Sequence, residues 1–204
     1  MRPLLAVVSS LLAAVAFAPT SSAQNIGVFS DVYAYQCPTI QPFVPATVYV
    51  VATLAPAACG GITGAEFRLG GWPTSWFYVV QQGPVFPPEM GNPFQEGIRV
   101  ASAECQTSEV GTVVLLAITV IATSQVFDLP VTVVAHTSPA DPQFACPVLK
   151  LCDPPVFTSV CANGLQTRIN PSNGFCICQK GCYAPCQTIG VEPSSWSGIK
   201  RLYD

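Results

Sequence analysis

Charged side chains are scarce in this chain of 204 residues, because Asp, Glu, Lys and Arg make up only 9% of it. Typical soluble proteins contain roughly 25% of these residues. Binding to nucleic-acid phosphates requires clustered lysines and arginines, and the chain has 8 in all. The composition therefore argues against a nucleic-acid partner. Half of the residues are apolar, which is enough to bury a core and argues against disorder.

Catalytic motifs are also missing. Histidine occurs once, as His136, so an H-E-x-x-H zinc site is excluded and a hydrolytic triad has a single candidate base. The chain contains no G-x-S-x-G turn, P-loop or dinucleotide fingerprint, and its 11 carboxylates are dispersed without a glycosidase motif. Strand alternation places His136 on a sheet face, where we expect it at the surface. We predict a protein that is not an enzyme and that binds no cofactor.

The first 23 residues have the three parts of a secretory signal peptide. A basic start at Arg2 is followed by the apolar run Leu4–Ala18 and by small residues that end at Ala23. This run of about 15 residues is shorter than the roughly 20 that span a bilayer. We therefore predict cleavage after Ala23 and secretion to the extracellular space or the cell surface, with the periplasm as an alternative, and no transmembrane segment in the mature chain.

Ten cysteines follow this signal. An even number in an exported protein predicts five disulfides. The cysteines are Cys37, Cys59, Cys105, Cys146, Cys152, Cys161, Cys176, Cys178, Cys182 and Cys186. Their spacing at residues 178–186, C-x3-C-x3-C, partly matches that of zinc ligands. An oxidising compartment favours disulfides instead, so we predict no metal site, and the sequence leaves the pairing of the cysteines open.

Between residues 24 and 140, apolar and polar side chains alternate with a period of two. Strands are predicted at residues 47–54, 65–69, 98–100 and 131–136, with further strands at 27–35 and 76–81. The continuous apolar run Val110–Thr123 is rich in Val, Ile and Thr, which favours a central strand buried on both faces over a membrane span. We predict a mainly β protein with an antiparallel β-sandwich of the immunoglobulin or cohesin-like type, and a small closed barrel is the alternative.

The pattern changes after residue 140. Residues 141–190 combine seven cysteines with few large apolar side chains, which predicts a disulfide-rich segment, and residues 165–169 are typical of one arm of a hairpin. Residues 191–204 are predicted to form a short amphipathic helix. Its apolar stripe consists of Trp196, Ile199, Leu202 and Tyr203. This tail either docks on its own domain or is recognised by export machinery or an assembly partner.

Aromatic residues cluster at Trp72, Trp76 and Tyr78. Planar rings on a sheet face can stack on sugars, so these three residues are candidate ligand-binding residues. A core cluster is the alternative, because Trp76 and Tyr78 share one face of a strand and Phe77 lies on the other. We expect Trp76 to be structural and Trp72, which lies in a glycine-rich turn, to be the more exposed of the two tryptophans.

A family resemblance follows from three stretches in order: ATVYVVATLAPAACGGITGAEFRLGG, GIRVASAEC and GTVVLLAITVIAT. This order resembles cohesin-like and related carbohydrate-associated sandwiches, which begin with a strand, a glycine-containing turn and a second strand like ITGAEFRL. The whole chain is similar to a group of secreted bacterial β-sandwich proteins with a Cys-rich end and a closing W-x-x-I/V-K-x-L-Y segment. The resemblance implies a sandwich fold and carries over no specific activity.

Two functions remain open at this point. The first is a secreted, non-catalytic protein for extracellular binding or surface assembly, with a glycan or protein partner. The second is a secreted carbohydrate-active enzyme or its accessory carbohydrate-binding module. An enzyme should show a polar cleft with two close carboxylates, a glycan binder a flat aromatic strip, and an assembly protein a wide apolar face.

Overall fold

The computed structural model describes residues 24–54, 60–81, 88–107, 111–152 and 158–172. All regular secondary structure in these ranges is β, which confirms a mainly β protein. The strands are β1 (Asn25–Phe29), β2 (Pro45–Thr53), β3 (Ile62–Gly70), β4 (Phe77–Gln81), β5 (Pro88–Asn92), β6 (Gly97–Gln106), β7 (Thr112–Ile121), β8 (Leu129–Val134), β9 (Val148–Leu151), β10 (Ser159–Cys161), β11 (Asn163–Gly164) and β12 (Gln166–Ile169). The predicted signal peptide and C-terminal helix lie outside the described residues.

The strands form two sheets. The first has the order β11-β1-β2-β7-β4, and all of its pairs are antiparallel except β1 with β11. The second has the order β10-β9-β3-β6-β5. One edge of β3 serves two neighbours, because its first half pairs with β9 and its second half with β8, which in turn pairs with β12. Inward side chains from both sheets, such as Val48, Ile118, Phe67 and Ile98, belong to one continuous buried cluster.

Strand β7 is an internal strand of the first sheet, since it pairs with β2 on one side and with the edge strand β4 on the other. Val51 pairs with Val114 but Val50 pairs with Leu116, so Leu115 is an extra residue in a β-bulge. The bulge turns both Leu115 and Leu116 into the core, where they are fully buried. The prediction of a central strand is confirmed. Burial on both faces is only partial, because several outward residues of β7 are half-buried.

The described part of residues 141–190 contributes to both sheets, since β9 pairs with β3, β11 with β1 and β12 with β8. The strand at β12 was expected as a hairpin arm, but its partner is β8 rather than a neighbouring segment. Disulfides join Cys105 to Cys152 and Cys146 to Cys161. They tie the ends of β6 and β10 to the chain that flanks β9. The domain boundaries drawn from the sequence stay predictions.

No helix in the described ranges is both long and apolar enough to span a membrane.

Candidate binding surface

The aromatic cluster lies against the core. Trp72 and Trp76 are 9% and 3% exposed and belong to the main buried cluster. Their rings meet edge-to-face with centroids 5.9 Å apart, and the ring of Phe94 lies 4.8 Å from Trp72 and 4.2 Å from Tyr78. Tyr78 is half-buried, and its hydroxyl accepts a hydrogen bond from Asn92 Nδ2 at 3.0 Å. These positions match a core cluster and not a platform of exposed rings for a ligand.

Strand β4 turns opposite faces to the core and to solvent. Tyr78 and Val80 pack on the core, whereas Phe77 and Val79 are 68% and 64% exposed. This alternation follows from the period of two along a strand. β4 is also the last strand of its sheet, so these apolar side chains lie at a sheet edge. Large apolar side chains exposed side by side on an edge strand are unusual in a free monomer, because they favour association.

The neighbouring strands extend this surface without adding charge. Phe77 pairs with Ile121 and Val79 with Thr119 across β4 and β7, and β2 lies on the other side of β7. We call eight outward residues of these three strands the uncharged face. They are Pro45, Thr47, Ala117, Thr119, Ile121, Phe77, Val79 and Gln81. Gln81 Nε2 donates a hydrogen bond to Thr119 Oγ1 at 3.0 Å, so even the polar groups are partly paired within the face.

The opposite sheet has the reverse character. All four basic residues in the described ranges take outward positions on it, alternating with core residues. They are Arg68, Arg99, Lys150 and Arg168. Arg99 Nε donates to Glu66 Oε2 at 2.9 Å. The outer side of β2, β7 and β4 therefore bears no charged side chain, whereas the outer face of the second sheet bears charged groups.

A pocket of about 280 Å³ on this charged side contains two carboxylates, those of Glu66 and Asp141. Glu66 accepts hydrogen bonds from Arg99 and from the backbone N–H of Ala140. Asp141 accepts from both the backbone and the side chain of Gln143. Both carboxylates therefore hold the loop that follows β8, and nothing in their contacts favours a general acid paired with a nucleophile.

His136 is 8% exposed, so its expected surface position is wrong. Its ring packs against Gly97, whose φ of +119° and missing side chain leave the space that the ring fills. The Nδ1 atom accepts the backbone N–H of Ser138 at 3.0 Å. Strand β8 ends at Val134, two residues before His136, so the alternation that placed His136 on a sheet face does not extend to it. No local pattern could show that a glycine on β6 would admit the ring. Within the described residues no group of three or more His, Cys, Asp and Glu could hold a metal ion.

At one end of the domain, three segments line a groove of about 820 Å³, which we call the terminal groove. They are residues 35–42, 125–127 and 170–172. Asn170 holds two of these segments together, because its side chain binds both backbone groups of Ile40 and the carbonyl of Val126. Next to the groove, Asp128 Oδ1 accepts the backbone N–H of Ser172 at 3.0 Å and lies 3.6 Å from Arg168 Nη1.

Hydrogen bonds from Ser172, and the charge of Arg168 to a lesser degree, hold the pKa of Asp128 below its usual value of 3.8. Since the folded pKa is lowered, the stabilisation is present above the unfolded pKa and is lost as the pH falls through the folded value. We therefore expect Asp128→Asn to accelerate amide exchange at Ser172 at neutral pH, and acidification of the wild type to do so only below about pH 4. Residue-resolved hydrogen exchange tests this, with Asp31→Asn as the control, because Asp31 caps a separate loop. Unchanged exchange at Ser172 would contradict the assigned role.

Comparison with solved structures finds cohesin modules. The sixth cohesin of scaffoldin B from Acetivibrio cellulolyticus, solved with a Cel5 dockerin, is 14% identical, and the match covers 73% of this chain and 99% of that one with a TM-score of 0.46. The seventh ScaB type I cohesin of Pseudobacteroides cellulosolvens is 13% identical over 74% and 92% of the two chains, with a TM-score of 0.47. A cohesin module of a Clostridium perfringens family 33 glycoside hydrolase is 8% identical over 73% and 98%, with a TM-score of 0.45.

No family model matches the chain, and no curated protein matches it significantly. The sequence indicated a resemblance to cohesin-like sandwiches, and these structural matches are cohesin modules, at 14% identity or less and with TM-scores below 0.5.

Proposed function

We propose that this protein is a secreted, non-catalytic binding module that docks another protein on its uncharged face. The observation that carries the proposal is the pair Phe77 and Val79, which are 68% and 64% exposed at the edge of a three-strand surface without charged residues. Burial of exposed apolar side chains stabilises a complex by about 25 cal/mol per Å² of apolar area before the costs of association. A partner that covers this face gains such burial without the cost of stripping water from charged groups.

Further features of the molecule support this proposal. The disulfides are compatible with the oxidising compartment that the predicted signal peptide implies. Phe43 and Val44, immediately before β2, are exposed as well and extend the apolar surface at one end. A protein partner is favoured over a glycan, because the indole rings that could have stacked on sugars are buried. For the alternative of a carbohydrate-active enzyme, the described residues offer no observation in its favour.

The test is a charge placed on the face. Phe77→Asp should abolish binding of the partner while leaving the fold intact, because the side chain is exposed and any partner must then bury a carboxylate. The wild-type and variant mature proteins are immobilised and compared for specific capture from the culture medium of the producing cells, with binding constants then measured on the purified partner. Circular dichroism and thermal melting verify that the variant is folded.

Lys150→Glu is the matched control, since it changes charge on the opposite sheet. It should leave capture and affinity unchanged. The proposal fails if Phe77→Asp binds like the wild type, or if Lys150→Glu abolishes binding and Phe77→Asp does not. A second copy of this chain could also cover the uncharged face, and analytical ultracentrifugation of the wild type tests this. If the wild type is a dimer and Phe77→Asp is a monomer, the partner is a second copy of this chain and not another protein.

A further inference from the structure

We propose that the terminal groove holds the C-terminal segment of this same chain, residues 173–186, and that a disulfide from Cys37 to one of the four cysteines in that segment fastens it there. The starting point is the bonding of Cys37, which lines the groove and is itself in a disulfide. The other four cysteines of the described ranges pair with one another, Cys105 with Cys152 and Cys146 with Cys161. The partner of Cys37 is therefore Cys59 or a cysteine of residues 176–186.

Cys37 lies near one end of the domain. The carbonyl of Pro38, the next residue, accepts the backbone N–H of Asn170 at 2.9 Å. Asn170 follows β12, which runs along β8 beyond the position where Gly70, the last residue of β3, pairs with Thr132. Cys37 is thus located past the Gly70 end of β3.

Cys59 is confined to the other end by chain connectivity. Its neighbour Gly60 has its carbonyl oxygen 2.9 Å from the Cys105 sulfur, and Gly61 accepts the backbone N–H of Cys152 at 3.0 Å. Both contacts lie at the Ile62 end of β3. Because a strand rises about 3.3 Å per residue, the two ends of β3 are about 26 Å apart.

This separation decides between the two candidates. Consecutive Cα atoms are about 3.8 Å apart, so Cys59 cannot move far from Gly60. A disulfide requires Cα atoms within about 7 Å of each other. Cys59 is therefore out of reach of Cys37, and the partner of Cys37 is Cys176, Cys178, Cys182 or Cys186. Formation of the bond removes two electrons and two protons from two thiols, and a disulfide oxidant of the extracytoplasmic compartment is reduced to two thiols in return.

The position of the chain agrees with this pairing. Ser172 is the last described residue, and it lines the same groove as Cys37. Cys176 is four residues after Ser172, and an extended chain of that length spans about 14 Å. The first cysteine of the segment can therefore lie in the groove near Cys37. Tyr35 and Phe127 also line the groove, and their side chains are 66% and 71% exposed. A segment held across the groove would cover these two apolar side chains.

The disulfide is tested on the wild-type mature protein by peptide mapping without reduction. Digestion with trypsin and chymotrypsin in the presence of N-ethylmaleimide separates Cys37 from Cys59 at Phe43 and Tyr49, and separates Cys182 from its neighbours at Lys180 and Tyr183. Mass spectrometry should find the Cys37 peptide linked to a peptide from residues 176–186. A link between the peptides of Cys37 and Cys59, or an alkylated Cys37, would overturn the proposal.

Occupancy of the groove is tested by hydroxyl-radical labelling of aromatic side chains. In the wild type, Tyr35 and Phe127 should be protected relative to Phe77, which is similarly exposed but lies on the uncharged face. Cys37→Ser should raise their labelling several-fold and leave Phe77 unchanged. The control is the double variant Cys105→Ser/Cys152→Ser, which removes a disulfide at the other end and should not alter Tyr35 or Phe127. If both residues label as strongly as Phe77 in the wild type, the groove is open and the docking is refuted.

Discussion

Replacement of Ile118 by aspartate is expected to prevent folding. Ile118 is fully buried in β7, between β2 and β4, and its inward side chain belongs to the core that both sheets share. Burial of an unpaired charge costs several kcal/mol, which is comparable to the total stability of about 5–15 kcal/mol for a typical domain. The measurement is circular dichroism during thermal denaturation, in which the variant should show no cooperative transition.

Thr47→Asp is the matched control, because the residue faces outward on β2, next to β7. A solvated carboxylate there costs no more than the roughly 1 kcal/mol by which strand propensities differ, so this variant should fold. Two folded proteins with similar stabilities would show that the inward face of β7 is not the core. Since Thr47 belongs to the uncharged face, the folded control should also bind the proposed partner less tightly.

Trp76→Ala should lower the free energy of unfolding by about 3–5 kcal/mol, as expected when a buried aromatic ring is removed and leaves a cavity. Trp72→Ala should have an effect of similar size, because its ring is packed between Trp76 and Phe94. Denaturant titration measures both values. Phe77→Ala, at the residue that follows Trp76, is the control, and it should change stability by about 0.5 kcal/mol or less because its ring is exposed.

The same variants decide the role of the aromatic cluster. A tryptophan that formed a sugar platform would tolerate truncation with little change in melting temperature and would lose glycan binding instead. If Trp72→Ala kept the wild-type stability and abolished glycan binding, the core interpretation would be wrong and the platform interpretation would replace it.

The sequence predicted those parts of the molecule in which the local pattern of apolar and polar residues matches the burial of the side chains. Alternation along residues 76–81 correctly separated Trp76 and Tyr78 from Phe77, because the period of a strand determines its faces whatever lies opposite. The apolar run at residues 110–123 indicated a central strand for another reason, because it is rich in Val, Ile and Thr and both of its alternating sets are apolar. Alternation could not show which of the two faces is exposed to solvent. Phe77 was therefore identified only as lying on the face opposite Trp76 and Tyr78, and not as part of a binding surface.

Features that depend on distant partners were out of reach. Trp72, in a glycine-rich turn, was expected to be the more exposed tryptophan, and it is so only by 9% to 3%, because Phe94 from a later part of the chain covers its ring. Strands β9 and β12 are short, and their pairing with β3 and β8 depends on long-range register that no local pattern reports. The bulge at Leu115 explains why both alternating sets of β7 are apolar, but a uniformly apolar run contains no signal for its position.

The pairing of β1 with β11 affects when the domain can form. Asn25 and Asn163 are 138 positions apart and meet side by side in the first sheet, where β1 lies between β2 and β11. In a chain exported N-terminus first, as proposed here, β1 emerges early, and one of its edges stays open until residue 164 has crossed the membrane. Unpaired strand edges invite wrong pairing, and contacts so far apart in sequence form slowly. Translocation rate and chaperone supply are thus expected to limit the yield of this protein more than the stability of its finished fold.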